Sequence, residues 1–128
     1  MAANTNPIFL LTPVVDVVQI ATANTLRDGT GTMGTLSTGA TDGKRIAAIK
    51  VKATGSTTAG MVRFFYYDGT NVRLIGELPI QAITPSATLA TFEATVPFKM
   101  VLPSAKEIRV STEKAETFNV FALSGNYS

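Results

Sequence analysis

At 128 residues the chain fits one domain, large enough to bury about two-thirds of the surface its unfolded form would expose without any covalent staple. It has no cysteine, no histidine and no tryptophan, which excludes a disulfide framework, thiolate chemistry and the usual His-based nucleophilic and metal sites. Charged residues make up 16% and hydrophobic ones 45%, and a net charge of +2 is no footprint for a polyanion even with a pI of 9.1, so nucleic acid is not an expected partner.

The lead Met1 to Asn6 is polar. Pro7 and Pro13 then bracket Ile8-Phe9-Leu10-Leu11, and Val14 to Ala21 is rich in β-branched residues, which predicts two short strands, or one arm and one strand. No positively charged region precedes the apolar run, and Thr12, Pro13 and Asp16 interrupt it well short of a spanning helix, so neither a signal peptide nor a membrane segment is expected. In Val14-Val15-Asp16-Val17-Val18 neither alternating face is cleanly apolar. Either this strand is buried on both sides with Asp16 at a bulge, or part of it packs on another subunit. Residues 1–18 are therefore set apart as an N-terminal arm with the first strand, and residues 19–128 as the β domain.

From Asn24 to Gly43 the chain is dominated by Gly, Thr, Ser and Asp and reads as loop, with one short strand around Met33 to Leu36. Arg45 to Thr54 alternates, with Ala47, Ile49, Val51 and Ala53 inward and Lys50 and Lys52 outward. Met61 to Ile80 is the clearest hairpin signal. Val62, Phe64 and Tyr66 alternate with Met61, Arg63 and Phe65, and Val72, Leu74 and Leu78 share one face of the return strand. A three-residue loop of Asp68, Gly69 and Thr70 sets Phe64 opposite Leu74 and Tyr66 opposite Val72, whereas a two-residue Asp-Gly turn sets Phe64 against Arg73. The longer loop is preferred because a buried unpaired arginine is costly, and Phe64, Tyr66, Val72 and Leu74 are expected in the core.

Beyond the hairpin, Ala87 to Thr95 and Phe98 to Leu102 read as strands separated by Pro97. Glu107 to Thr112 follows with Ile108 and Val110 inward; Ser104 and Glu107 match a capping box, but the apolar residues after them recur at period two. In the last strand, Thr117 to Leu123, Phe118, Val120 and Ala122 share one face and Phe121 and Leu123 the other. About eight strands at short spacing predict an all-β sandwich or barrel. An outer sheet meets its own core on one face only, so Phe121 and Leu123 need cover from a loop, the arm or a neighbouring subunit, which predicts a homo-oligomer with the last strand at or near its interface.

The motifs that could carry chemistry are weak. Gly29 to Gly34 fits G-x-G-x-x-G, but poor helix formers follow it, and Lys50 and Lys52 stand where a ribose-binding acid is expected. Asp28 and Asp42 flank that loop without calcium-loop spacing and are read as Asx turns. Lys44, Lys50 and Lys52 read as a solvated or edge-guarding face rather than a grip on an acidic partner. Glu77 and Glu93 are a conceivable glycosidase-type carboxylate pair, yet alternation turns both outward. Catalytic residues, cofactors and metals are not expected.

The segments DGKRIAAIKVKATGSTTAGMVRFFYYDGTNVRLIGELPI, TPSATLATFEA and STEKAETFNVFALSGNY, within residues 43–127, resemble small virion proteins encoded by tailed bacteriophages and prophages. That resemblance implies a small antiparallel β-sandwich, jelly-roll-like, with an extended N-terminal arm. It implies a non-enzymatic capsid decoration or cement protein on the outside of the head, made in the bacterial host cytoplasm and bound to the major capsid protein; the alternative is a neck, tail or carbohydrate-binding receptor module. The preference for a homotrimer also comes from the resemblance. Ile8, Phe9, Leu10, Leu11, Phe121 and Leu123 are the interface candidates, and neither nucleic acid nor membrane is an expected partner.

Overall fold

The structure, a computed structural model, describes residues 11–127. These form eight strands and no helix: β1 (Thr12–Ile20), β2 (Gly34–Thr38), β3 (Lys44–Ala53), β4 (Gly60–Tyr67), β5 (Val72–Ile80), β6 (Glu93–Leu102), β7 (Glu107–Thr112) and β8 (Phe118–Asn126). Two antiparallel four-stranded sheets result, ordered β1-β8-β3-β6 and β2-β7-β4-β5. Only β4 and β5 are neighbours both in sequence and within a sheet; at every other step the chain crosses from one sheet to the other. That strand order is an eight-stranded jelly roll.

The core lies between the sheets and follows from strand alternation. Ile49, Val51 and Ala53 of β3, Val62 and Phe64 of β4, and Phe118, Val120 and Ala122 of β8 are all buried in one cluster. The Phe64 ring meets Phe98 of β6 with centroids 5.7 Å apart and tilted, an aromatic contact that links the two sheets. Asp16 is inward too. Its Oδ2 accepts from Lys44 Nζ at 2.8 Å and from Ser37 Oγ at 2.6 Å, so an ion pair within one sheet is clipped to a hydroxyl of the other. Strand β1 therefore runs without a bulge, and Lys44 belongs to the space between the sheets rather than to a solvated face.

Three expectations are corrected by irregularities that local periodicity does not reveal. The first is in β3, whose register shifts between Ile46 and Ala48, so Ile46 is buried and Ala47 is exposed. The second is in β6, which runs unbroken through Pro97. This is tolerated because β6 is an edge strand, and a proline there lacks only an N–H that no neighbour needs.

The third is the hairpin. Phe64 pairs with Gly76, Phe65 with Leu74, Tyr66 with Arg73 and Tyr67 with Val72, with a register shift that leaves Ile75 as the extra residue of β5. The turn tip is the two residues Gly69-Thr70 rather than the three-residue loop Asp68, Gly69 and Thr70, so the expected pairs of Phe64 with Leu74 and Tyr66 with Val72 do not form. Asp68 N–H donates to Asn71 O at 3.1 Å, while its carboxylate accepts from the backbone N–H groups of Thr70 and Asn71. Gly69 takes the positive φ, 98°, that the first central position of such a tip requires. Phe64 and Tyr66 keep their core face, but Val72 and Leu74 move to the opposite face beside Phe65. A one-residue slip inverts a strand's faces, and here a bulge makes the slip local.

Candidate interaction surface

Each sheet has an outer face, and the two differ. On the β2-β7-β4-β5 sheet the outer side chains include Arg63 and Phe65, both fully buried. The β1–β2 connection, Ala21 to Met33, lies over this face, with Asn24 on Arg63, Arg27 on Glu77 and Gly29 against Val72. Asn24 organises that connection: its Nδ2 donates to the carbonyls of Thr30 and Thr32 at 3.0 and 2.9 Å, its Oδ1 accepts from Leu26 N–H, and its own N–H donates to Thr112 O. Gly31, at φ 86°, packs against the Asn24 amide too closely for a side chain. Gly29 approaches the Val72 carbonyl in the same way, so the glycines of the G-x-G-x-x-G match serve close backbone packing, and Gly34 opens a strand rather than a helix.

Arg63 is the anchor below this loop. Its Nε donates to Glu77 Oε2 at 3.1 Å, its Nη1 donates to Asn24 O at 3.3 Å, and Nη1 lies 2.6 Å from Glu113 Oε2. The Glu113 contact is an ion pair by distance whose angle departs from a hydrogen bond. Arg27 of the loop adds a 2.7 Å contact to the same Glu77 oxygen. The Arg27 hydrogen bond and then that of Arg63 hold the Glu77 carboxyl below its ordinary range. Asp28 and Asp68 are held low as well, by hydrogen bonds from Thr30 and from the Asn71 and Thr70 backbone respectively. Glu77 thus sits with Arg63 and Arg27 on one sheet, while Glu93, on the other, sits with Lys50 and Lys52. Each carboxylate serves a structural ion pair, and the two do not form a shared pair.

The outer face of the β1-β8-β3-β6 sheet has no such cover among the described residues. Cross-strand pairing lays it out in rows. Gln19, Asn119, Lys52 and Glu93 form a polar row; next come Val17, Phe121, Lys50 and Thr95, then Val15, Leu123, Ala48 and Pro97, then Pro13, Gly125, Arg45 and Val101. Val15 and Val17 are each 62% exposed, Val101 55% and Leu123 43%. Phe121 is half-buried, with Lys50 Nζ 5.8 Å from its ring centroid. Shallow hollows flank Arg45, one beside Lys99 and Val101, the other beside Ala47 and Leu123.

Of the interface candidates, Phe121 and Leu123 lie on this face, and Leu11, 69% exposed, stands at its corner, where its N–H bonds Asn126 O. Ile8, Phe9 and Leu10 lie outside the described residues. Sequence reasoning missed Val15, Val17 and Val101. The signal for the first two was present, since β1 pairs with β8 and matching parity puts them beside Phe121 and Leu123.

No family model matches the chain, and the search of curated proteins found no match. Among solved structures, one titled "Cyanophage Pam1 capsid asymmetric unit" is similar, with TM-score 0.47 and 11% identity over 98% of this chain and 94% of that one. Another, titled "Structure of infectious bursal disease virus Gx strain", has TM-score 0.38 and 14% identity over 98% of this chain and 38% of that one. Both likenesses are distant, and the jelly-roll assignment rests on the strand order itself.

Proposed function

We propose that this protein is a non-enzymatic virion structural protein of a bacteriophage, a decoration protein that binds the outside of the head through the outer face of its β1-β8-β3-β6 sheet. The observation that carries this reading is the uncovered apolar face itself: Val15, Val17 and Leu123 stand together, with Phe121 beside them, where a monomer would be expected to keep polar residues. Its supports are the resemblance of residues 43–127 to phage virion proteins and acidic side chains engaged in structural ion pairs. Leu11, at the corner of the same face, belongs to the attachment surface in this reading, and the apolar residues Ile8, Phe9 and Leu10 are read as contributing to attachment. The homotrimer is part of this reading on the strength of the resemblance.

The test is to mix purified protein with empty heads that lack it and to measure bound copies per particle. A saturating stoichiometry matching the shell's symmetry is the expected result. Absence of binding to assembled heads, together with binding to isolated tails or to a host glycan, would replace decoration by a tail or receptor role.

A further inference from the structure

We propose that the outer face of the β1-β8-β3-β6 sheet receives an extended apolar segment bearing carboxylates, supplied by a different protein rather than by a second copy or by this chain's own N-terminus. The source of the segment, a shell protein, rests on the function proposed above; its chemistry does not.

The argument is one of charge complementarity. The third row, Val15, Leu123, Ala48 and Pro97, crosses all four strands, roughly 14 Å at the usual strand spacing, which four or five extended residues would span. Arg45 lies in the adjoining row and Lys99 near it on β6. Neither makes an ion pair among the described residues, although both rise from a face otherwise apolar at that end. A segment seated on the row would bring side chains of one parity onto Val15 and Leu123, and a carboxylate of the other parity within reach of the two cations.

A second copy is a poor source of that carboxylate. Of the nine acidic residues, five are tied in ion pairs and Asp28, Asp68 and Glu116 accept hydrogen bonds from Thr30, from Thr70 with Asn71, and from Thr58. Only Asp42 is left. The chain's own residues 1–10, MAANTNPIFL, can supply apolar side chains but contain no acidic one. Like-for-like pairing of two such faces would also bring together the cations Arg45, Lys50, Lys52 and Lys99 of each, with Glu93, already paired with Lys50 and Lys52, as the one acidic side chain among the described residues of the face; a foreign acidic segment avoids that excess.

The probe is a fluorescein-labelled heptapeptide alternating leucine and glutamate, compared by anisotropy with its leucine–lysine counterpart, alongside binding to empty heads. The full-length protein is expected to prefer the glutamate peptide by at least about tenfold. Arg45→Glu with Lys99→Glu, both at exposed positions, should abolish that preference, and Arg73→Glu on β5 with Lys106→Glu in the β6–β7 turn should leave it unchanged. If heads bind but the charge-reversed Arg45/Lys99 variant binds them as well as wild type, the docking chemistry is overturned while the virion role stands. If heads do not bind and the peptide preference holds, the virion role falls and the docking chemistry stands. No preference between the peptides, a wild-type oligomer that Leu123→Ser dissociates, or peptide binding only after residues 1–10 are removed would each overturn the proposal.

Discussion

Nη1 of Arg63 donates to the backbone carbonyl of Asn24 at 3.3 Å, so a buried side chain in the middle of β4 holds a loop residue 39 positions earlier in the chain. Arg63→Ala would leave Glu77 and Glu113 without their shared cation and Asn24 O without its donor. Breaking a buried ion pair costs about 3–5 kcal/mol, and the lower end applies here because both carboxylates are partly exposed. The urea midpoint is the measurement, and a loss under about 1 kcal/mol, the scale of ordinary surface substitutions, would show that the cluster is dispensable.

Glu77 also gives a pH signature. Its folded pKa lies below the ordinary value of 4.5, so the ionised, paired form is the one that folding favours. The stabilisation is therefore complete above that ordinary value and is lost as the pH falls through the lower, folded value. Glu77→Gln should show a smaller drop in stability than wild type between about pH 5 and about pH 3. Some drop remains in the variant, since Asp28 and Asp68 are shifted the same way. Parallel curves for the two proteins would remove Glu77 as a source.

Asn24→Ala deletes three side-chain hydrogen bonds inside the covering loop while touching no strand. Buried polar groups left unmatched cost about 1–3 kcal/mol, and the loss should be local. Trypsin should cut after Arg27 faster in the variant, with the β-sheet circular dichroism unchanged. Equal digestion rates would show that the loop is held by something other than Asn24.

Two glycines separate crowding from conformation. A Cβ at Gly39 would collide with the Pro103 carbonyl oxygen, whereas a Cβ at Gly55 would meet nothing within 4 Å, and neither residue has a positive φ. Gly39→Ala should destabilise by about 1–3 kcal/mol or more, and Gly55→Ala should be neutral or slightly stabilising. Similar thermal midpoints for the two variants would contradict the packing described at the β2 end.

What the sequence made legible was whatever alternation encodes locally. The faces of β8 and the wet side of β3 at Lys50 and Lys52 follow from period two, and both are as expected. The errors fall where one residue changes parity: Ala47, Ile75 and the Gly69-Thr70 tip each shift a strand's phase without changing its composition. Alternation puts Arg63 on the face opposite the core, where it lies, but nothing local says that this face is covered. The cost of a buried unpaired arginine concerned Arg73, which is exposed, while Arg63 is buried and paired with partners from three other parts of the chain. Asp16 could not be placed because its partners, Lys44 and Ser37, come from two other strands. In a fold whose strands mostly pair with non-consecutive neighbours, that information is not local. Of the candidate surface, Phe121 and Leu123 were legible as a second face needing cover, but its extension to Val101 required the pairing of β6 with β3.

The loop from Ala21 to Met33 gives the described residues two unlike sides, one closed by the chain itself over Arg63, the other bare. A body with one bare apolar face is laid on a surface with that face down, and once laid it turns its closed side outward, which leaves lateral contact between copies open but no seat on top for another. In the setting proposed for it, such a coat would stop growing at one layer.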